Sequence, residues 1–388
     1  MRPTWHVSLA ELDVDPHPVL ARMRERSPVC WVPELDGWLV TGYRAASEVL
    51  ADAAAFTVDD PRFTTARVTG PSMLSTDGIE HARHRAPFAH GFGPAALEGR
   101  LAGFIQAEAA RLSQQLQPRG RAELREEFAG PLAAAVMAVA LGLAPTGVSA
   151  GTVLGWYRDI VAAVASLPAS TGPSGEAPAR VPVASFAALE AALLEAMDYR
   201  DAPLLAAAAD SGALTRTEAV SNAAVALFGG IETVEGMIGN AVLHLLEHYG
   251  VAGGGIDVDR GVEESLRLEP AAAVVDRYAT RDVTADGALI GRGDLVRVSL
   301  AGANRDPAMF PRPDQFDPAR PNAARHLAFA RGPHFCIGAH LARLETVTAV
   351  RALLDALPGL RLDASHPAQV RGLVFRKPPT LLAIWEPT

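Results

Sequence analysis

The 388-residue sequence predicts a mainly α protein with a minor β region. Three observations predict it. From Ala45 to about Ala209 the chain is rich in alanine and leucine and reads as consecutive helices. Thr215-Arg-Thr-Glu218 is a capping box that opens an unbroken helical pattern to about His248, before Gly250. Strand patterning is confined to Trp31–Thr41, Arg277–Val298 and Val370–Trp385.

Taken in order, Trp31–Thr41 alternates around Asp36-Gly37, a hairpin signal. The run from Pro131 to Pro145 is apolar throughout but shorter than the roughly 20 residues of a membrane span, so it predicts a buried core helix. The helix after Thr215 is expected to run for about 30 residues and on the order of 45 Å. Two stretches read as long loops. Thr57–Met73 carries Asp59, Asp60, Pro61, Gly70 and Pro71, and Pro168–Pro182 is rich in Pro, Gly and Ser. Neither repeats nor a linker are visible, so residues 1–388 are expected to form a single domain.

Composition narrows the function classes. A hydrophobic content of 49% and a mean hydropathy of +0.13 allow a large core and argue against disorder. The net charge of −9 disfavours nucleic acid as a partner. The first residues lack a basic region followed by an apolar run, which predicts no signal peptide. Cys30 and Cys336 are far apart, which suggests a reducing compartment without a disulfide frame. The expectation is a cytoplasmic monomer with no membrane association.

The chemistry centres on Cys336. It lies in Phe329-Ala-Arg-Gly332-Pro-His334-Phe-Cys336-Ile-Gly338, immediately before the helical pattern Ala339-His-Leu-Ala-Arg-Leu-Glu-Thr. No second cysteine is near enough in sequence to make a zinc pair. A single thiolate at a helix start suits one axial bond to a haem iron, with backbone N–H groups and the helix dipole tempering its charge. Gly332 permits a tight turn, Gly338 allows close approach to a flat macrocycle, and Phe329 shields the sulfur. This loop resembles the haem-ligand loop of the cytochrome P450 family, Phe-x-x-Gly-x-His-x-Cys-x-Gly.

Other segments share the resemblance, which covers essentially the whole chain. In the middle of the long helix lies Phe228-Gly229-Gly230-Ile231-Glu232-Thr233. Adjacent glycines lower helix propensity by roughly 2 kcal/mol, which suggests close approach or a local opening. An acid followed by an alcohol offers a proton path there. The segment is similar to the family's oxygen-binding helix, which makes Glu232 and Thr233 the catalytic candidates. Glu264-Ser-Leu-Arg267 resembles the family's Glu-x-x-Arg helix, and Arg320 is the expected third member of a buried structural triad. His81 and Arg85, spaced as in the family's His-x-x-x-Arg, are expected to bind the haem propionates with Arg277 and His334.

The resemblance implies a cytochrome P450 fold around a buried haem b, with Cys336 as thiolate ligand. It implies reductive activation of O₂ to oxidise a largely apolar small molecule, with ferredoxin and ferredoxin reductase as electron donors. Pocket walls expected from family position are the Thr57–Met73 loop, Phe228 and Ile231, Ala272–Val275 including Val274, and Leu373–Phe375 including Val374. Asp59/Asp60 and Arg62/Arg67 are candidates to meet a polar group. The alanine-, arginine- and proline-rich composition points toward bacterial secondary metabolism. Two alternatives are a peroxide-driven peroxygenase, whose members tend to lack the acid–alcohol pair, and a haem sensor, which needs no proton path. Arg83 lies in the acid-free window His81–Leu97, and Arg325, Arg331 and Arg343 in that between Asp317 and Glu345. The resemblance implies that both segments border the cysteine side of the haem, so these residues are expected to form a basic docking patch on an acidic protein.

Overall fold

A computed structural model describes residues 2–165, 183–199, 203–251 and 255–387. The loop expected at Pro168–Pro182 lies outside the described residues.

The long helix is the axis of the molecule. It runs Arg216–Tyr249, 34 residues, about 50 Å at the usual rise per residue. Thr215 caps it reciprocally: Glu218 N–H donates to Thr215 Oγ1 at 3.2 Å, and Thr215 N–H donates to Glu218 Oε2 at 2.8 Å. Gly250, at φ 78°, ends it with a left-handed turn. Against it pack the helices Gly130–Ala140, Val258–Leu268 and Ala339–Ala356. The first of these is buried on nearly every side, as its uniformly apolar composition requires, with Pro131 in the first turn, where a missing N–H is harmless. Ala339–Ala356 in turn packs on Ala102–Leu116.

Beside this helical body stands a five-stranded sheet in the order Val29–Val32, Gly37–Val40, Leu295–Ser299, Val274–Ala279, Phe56–Thr57. All pairings are antiparallel except that of Gly37–Val40 with Leu295–Ser299. The expected hairpin forms with a 3-10 turn at Pro33–Leu35 and Asp36 in the left-handed region at φ 46°. A second sheet joins Arg121–Glu123, Leu382–Ile384 and Arg361–Leu362. Of these, only Leu382–Ile384 falls in a segment with strand patterning in the sequence; Arg121–Glu123 and Arg361–Leu362 take their conformation from the pairing.

One expected loop contains structure. Thr64–Thr69 is a short helix, and the segment is moored to the long helix by Met73 N–H donating to Asn222 Oδ1 at 2.7 Å. Among the described residues no helix is long and apolar enough to cross a membrane.

Candidate active site

The triad forms as the spacing suggests. Glu264 and Arg267 are fully buried on one face of Val258–Leu268 and meet through two bonds, Arg267 Nε to Oε2 at 2.9 Å and Nη2 to Oε1 at 2.8 Å. Arg320 Nε donates to Glu264 Oε1 at 2.9 Å. Backbone carbonyls of Pro311, Pro313 and Gln315 take up the remaining guanidinium donors. The arrangement is tied directly to the cysteine loop. Arg267 Nη1 donates to Asn304 O, and Asn304 Oδ1 accepts the N–H of Leu327, where that loop begins.

The loop itself closes on Cys336, whose N–H donates to Phe329 O at 2.9 Å. Gly332 sits at φ +76°, and a Cβ there would lie 2.5 Å from Leu50 O, so any side chain would push the loop off its neighbour. Phe329 is buried, with the Arg343 guanidinium 4.4 Å above its ring. Cys336 is exposed, yet the protein around the sulfur pushes its thiol pKa up, against the Gly338 N–H and the charges of Arg85 and Arg343. A metal cation at the sulfur would hold it as the thiolate. Cys30 is unrelated to this site: it is buried in the strand Val29–Val32, and its thiol donates to Ser27 O at 3.0 Å.

His334, within the loop, meets the predicted anion-binding residues of the helix Gly78–Ala89. His81 and Arg85 share a face of Gly78–Ala89, and the rings of His81 and His334 are 4.3 Å apart. Arg277 is buried, although its only hydrogen bond among the described residues is Nη1 to Asp276 O at 2.7 Å. Arg85 Nη2 donates to Phe335 O at 2.7 Å. Neither arginine has a salt bridge among the described residues. His81 Nε2 is buried without a hydrogen-bond partner among the described residues, and burial with the charges of His334 and Arg85 lowers its pKa to about 4. Buried cations normally sit beside anions, so this cradle fits the two carboxylates of a haem. His334 differs, because its Nε2 lies 2.7 Å from Asp77 Oδ1. Burial alone would raise the Asp77 pKa, but His334, the Thr57 hydroxyl and the Val58 N–H outweigh it and hold it at about 2. Asp77 was missed in the sequence. Its position four residues before His81 was the available signal.

On the long helix, Gly229 faces open space, while a Cβ on Gly230 would lie 2.3 Å from Met137 Sδ. The two glycines therefore do different work, one opening the face and the other admitting the Gly130–Ala140 helix. Thr233, one turn from Gly229 on the open face, donates to Gly229 O at 2.5 Å. The backbone stays α-helical throughout, so of close approach and local opening, the two readings of the glycine pair, the structure shows close approach. Glu232 is turned aside to Lys377, with Nζ 2.8 Å from Oε1. Phe228 is half-buried, its ring 6.0 Å from Tyr157.

Four expectations need correction. Ile231 is fully buried in the main core. It leaves the helix about 200° from Gly229, at about 100° per residue. Val274 pairs with Ser299 and faces a small cavity shared with Leu12, Leu20 and Leu373, whereas Val275 shares the strand face of Arg277. Asp60 and Arg62 neutralise each other, with Arg62 Nε 2.8 Å from Asp60 Oδ1. In the basic patch, Arg83 is paired with Glu218 at 2.6 Å and Arg343 with Glu263 at 2.8 Å. Arg325 and Arg331 are exposed and have no salt bridge among the described residues. Val374 remains 41% exposed beside the equally exposed Phe375.

An unpaired cation cradle beside a lone cysteine at a helix start matches the haem-thiolate class of protein. Residues 258–363 match the family model for cytochrome P450. The chain is 35% identical to the cytochrome P450 monooxygenase PikC of Streptomyces venezuelae over 372 residues, covering 90% of this chain and 86% of that one. It is 34% identical to nocardicin C N-oxygenase of Nocardia uniformis subsp. tsuyamanensis, covering 96% of each. Among solved structures, the post-tailoring hydroxylase HmtN of himastatin biosynthesis superposes with a TM-score of 0.79 at 28% identity, over 96% of this chain and 98% of that one. The chain belongs to the cytochrome P450 family: it is an oxidoreductase of the monooxygenase class, and its cofactor is a haem with an axial cysteine thiolate.

Proposed function

We propose that residues 1–388 act as one O₂-dependent monooxygenase unit that oxidises a largely apolar small molecule in bacterial secondary metabolism. The observation that carries the O₂-dependent reading is the Thr233 hydroxyl on the open face at Gly229, directly after Glu232 in the helix. Cys336 is the axial ligand, and His81, Arg85 and Arg277 bind the propionates, with Asp77 orienting His334. When bound, the haem supplies the redox chemistry by which one oxygen atom of O₂ enters the substrate and the other leaves as water. Two electrons and two protons are consumed per turnover. The chain's own part is to exclude water, orient the substrate and deliver the protons. Half-buried Phe228, Val275 and the exposed Val374–Phe375 pair would form an apolar wall, which supports a largely apolar substrate. The pathway reading rests on relatives named for nocardicin and himastatin chemistry.

Thr233→Ala tests the proton path. The Thr233 hydroxyl is expected to hold and pass a proton at the open face. Its removal should leave haem content and substrate-binding spectra unchanged while diverting electrons from product to hydrogen peroxide. Unchanged product per NAD(P)H consumed would remove Thr233 from the reaction, and efficient peroxide-driven turnover by the unaltered protein would favour the peroxygenase reading.

Electrons are proposed to come from an acidic ferredoxin docking over Arg325 and Arg331 on the cysteine side. Charge reversal at Arg331 should slow reduction by ferredoxin about tenfold at low salt, with the difference shrinking as salt rises. Arg343→Glu is expected to act mainly by breaking the pair with Glu263. Reduction rates insensitive to both Arg331→Glu and ionic strength would place the docking surface elsewhere.

A further inference from the structure

Lys377 is the only lysine in the chain, all others of its 35 lysines and arginines being arginine. It is also mostly buried, in the segment that leads into the C-terminal strand. Its Nζ lies 2.8 Å from Glu232 Oε1 and 3.4 Å from Glu235 Oε1. Glu235 is 4% exposed and already holds a second cation, Arg125, whose Nη1 is 2.9 Å from the same oxygen. Arg125 is fixed in turn, with Nε donating to Pro379 O at 2.8 Å. Two acids and two cations therefore alternate along one side of the long helix, in the order Glu232, Lys377, Glu235, Arg125, and Arg125 Nη2 also donates to Glu126 Oε1 at 2.7 Å.

The order has a consequence for Glu232. Consecutive residues leave a helix about 100° apart, and Glu232 is turned away from Thr233 toward Lys377. For Glu232 to pass a proton toward the Thr233 hydroxyl, its carboxylate has to leave that ammonium. A bare ammonium in a largely buried site is strongly unfavourable. Here it would not be bare, because Glu235 Oε1 is already within 3.4 Å and stays neutralised from its other side by Arg125. A compact ammonium on a flexible stem can change acceptors by small rotations. A planar guanidinium fixes both acceptors at once. A lysine in an otherwise all-arginine chain is what such an exchange requires.

We propose that Lys377 is a positioning residue for Glu232, a cation that holds the carboxylate aside at rest and passes to Glu235 when Glu232 turns to Thr233. The inference rests on the reading of Glu232–Thr233 as the proton path. No bond changes at Lys377 itself. What it governs is whether two electrons, two protons and O₂ yield oxidised substrate and water or leave as hydrogen peroxide.

The test compares Lys377→Arg, Lys377→Met and Glu232→Gln in the haem-loaded enzyme with an identified substrate and its ferredoxin. Lys377→Arg keeps the charge, so haem content, melting temperature and substrate-binding spectra should match the parent. Product per NAD(P)H should nevertheless fall on the order of tenfold, within the range a positioned proton donor contributes, with the balance appearing as peroxide. Adding Glu232→Gln to Lys377→Arg should cause no further loss, since both act on one step. Coupling in Lys377→Arg equal to the parent's would show that charge alone suffices and overturn the exchange. If Glu232→Gln itself couples normally, the proton path falls and the role of Lys377 falls with it. A loss in Glu232→Gln without one in either Lys377 variant would overturn only the role of Lys377.

A readout independent of turnover is available because no other side chain carries a primary amine. Acetic anhydride should acetylate Lys377 slowly in the folded parent and several-fold faster in Glu232→Gln. Equal rates in the two proteins would mean that Glu232 does not hold the ammonium, which also overturns the proposal.

Discussion

Replacing Cys336 with serine is expected to abolish the red-shifted carbonyl band of the reduced protein while leaving a folded chain. The substitution is nearly isosteric, and the loop is held by backbone bonds that serine keeps, notably the Cys336 N–H to Phe329 O. The triad behind the loop would also survive, since its link runs through Asn304 to Leu327 rather than through the sulfur. What disappears is the soft anionic donor. A serine hydroxyl does not ionise near neutral pH, so an iron held by the same cradle would lose the thiolate that shifts the band. Cys30→Ser is the matched control. Its sulfur only donates to Ser27 O, a bond a serine hydroxyl can make, so the band and haem content should stay as in the parent. A band that persisted in Cys336→Ser would remove the cysteine from the iron and undo the whole assignment.

The second large effect is on stability. Glu264→Ala leaves Arg267 and Arg320 buried without their shared carboxylate, and Arg267→Ala leaves Glu264 and Arg320 without one wall of donors. Breaking one side of a buried pair costs about 3–5 kcal/mol, against about 5–15 kcal/mol for a whole domain. Both variants should therefore give little soluble, haem-loaded protein and a strongly lowered melting temperature. Arg267→Lys should do little better than alanine, because an ammonium cannot reproduce the fork to Glu264 together with bonds to Asn304 O and Pro313 O. Normal haem content and melting temperature in Glu264→Ala would show that the triad does not support the cysteine loop.

The elements legible in the sequence were those whose cause is local. The long helix announced itself because Thr215 and Glu218 cap each other within one turn. The hairpin was legible because Asp36-Gly37 suits the left-handed turn that joins its strands. The cysteine loop could be read because its bonds, such as Cys336 N–H to Phe329 O, close within a few residues. Glu264 and Arg267 were likewise one helical turn apart.

The tertiary structure alone decided which side each candidate faces and what it meets there. Val274 and Val275 are equally apolar, but strand alternation sends one to each face, and only the pairing with Ser299 and Val298 says which. Ile231 fell on the buried side of its helix because its neighbours, not its own character, define the open side. Arg343 looked free because Glu263 is remote in sequence, and so is Glu218 from Arg83, although Arg83 also meets Glu80 one helical turn away. The same holds for Asp77 with His334 and for Lys377 with Glu232. Charge interactions depend on distance in space, and in these pairs the chain path between partners is long. Local spacing therefore determined the haem-thiolate motif and the helices that carry it, while packing decided the partners, and with them which residues are free to act.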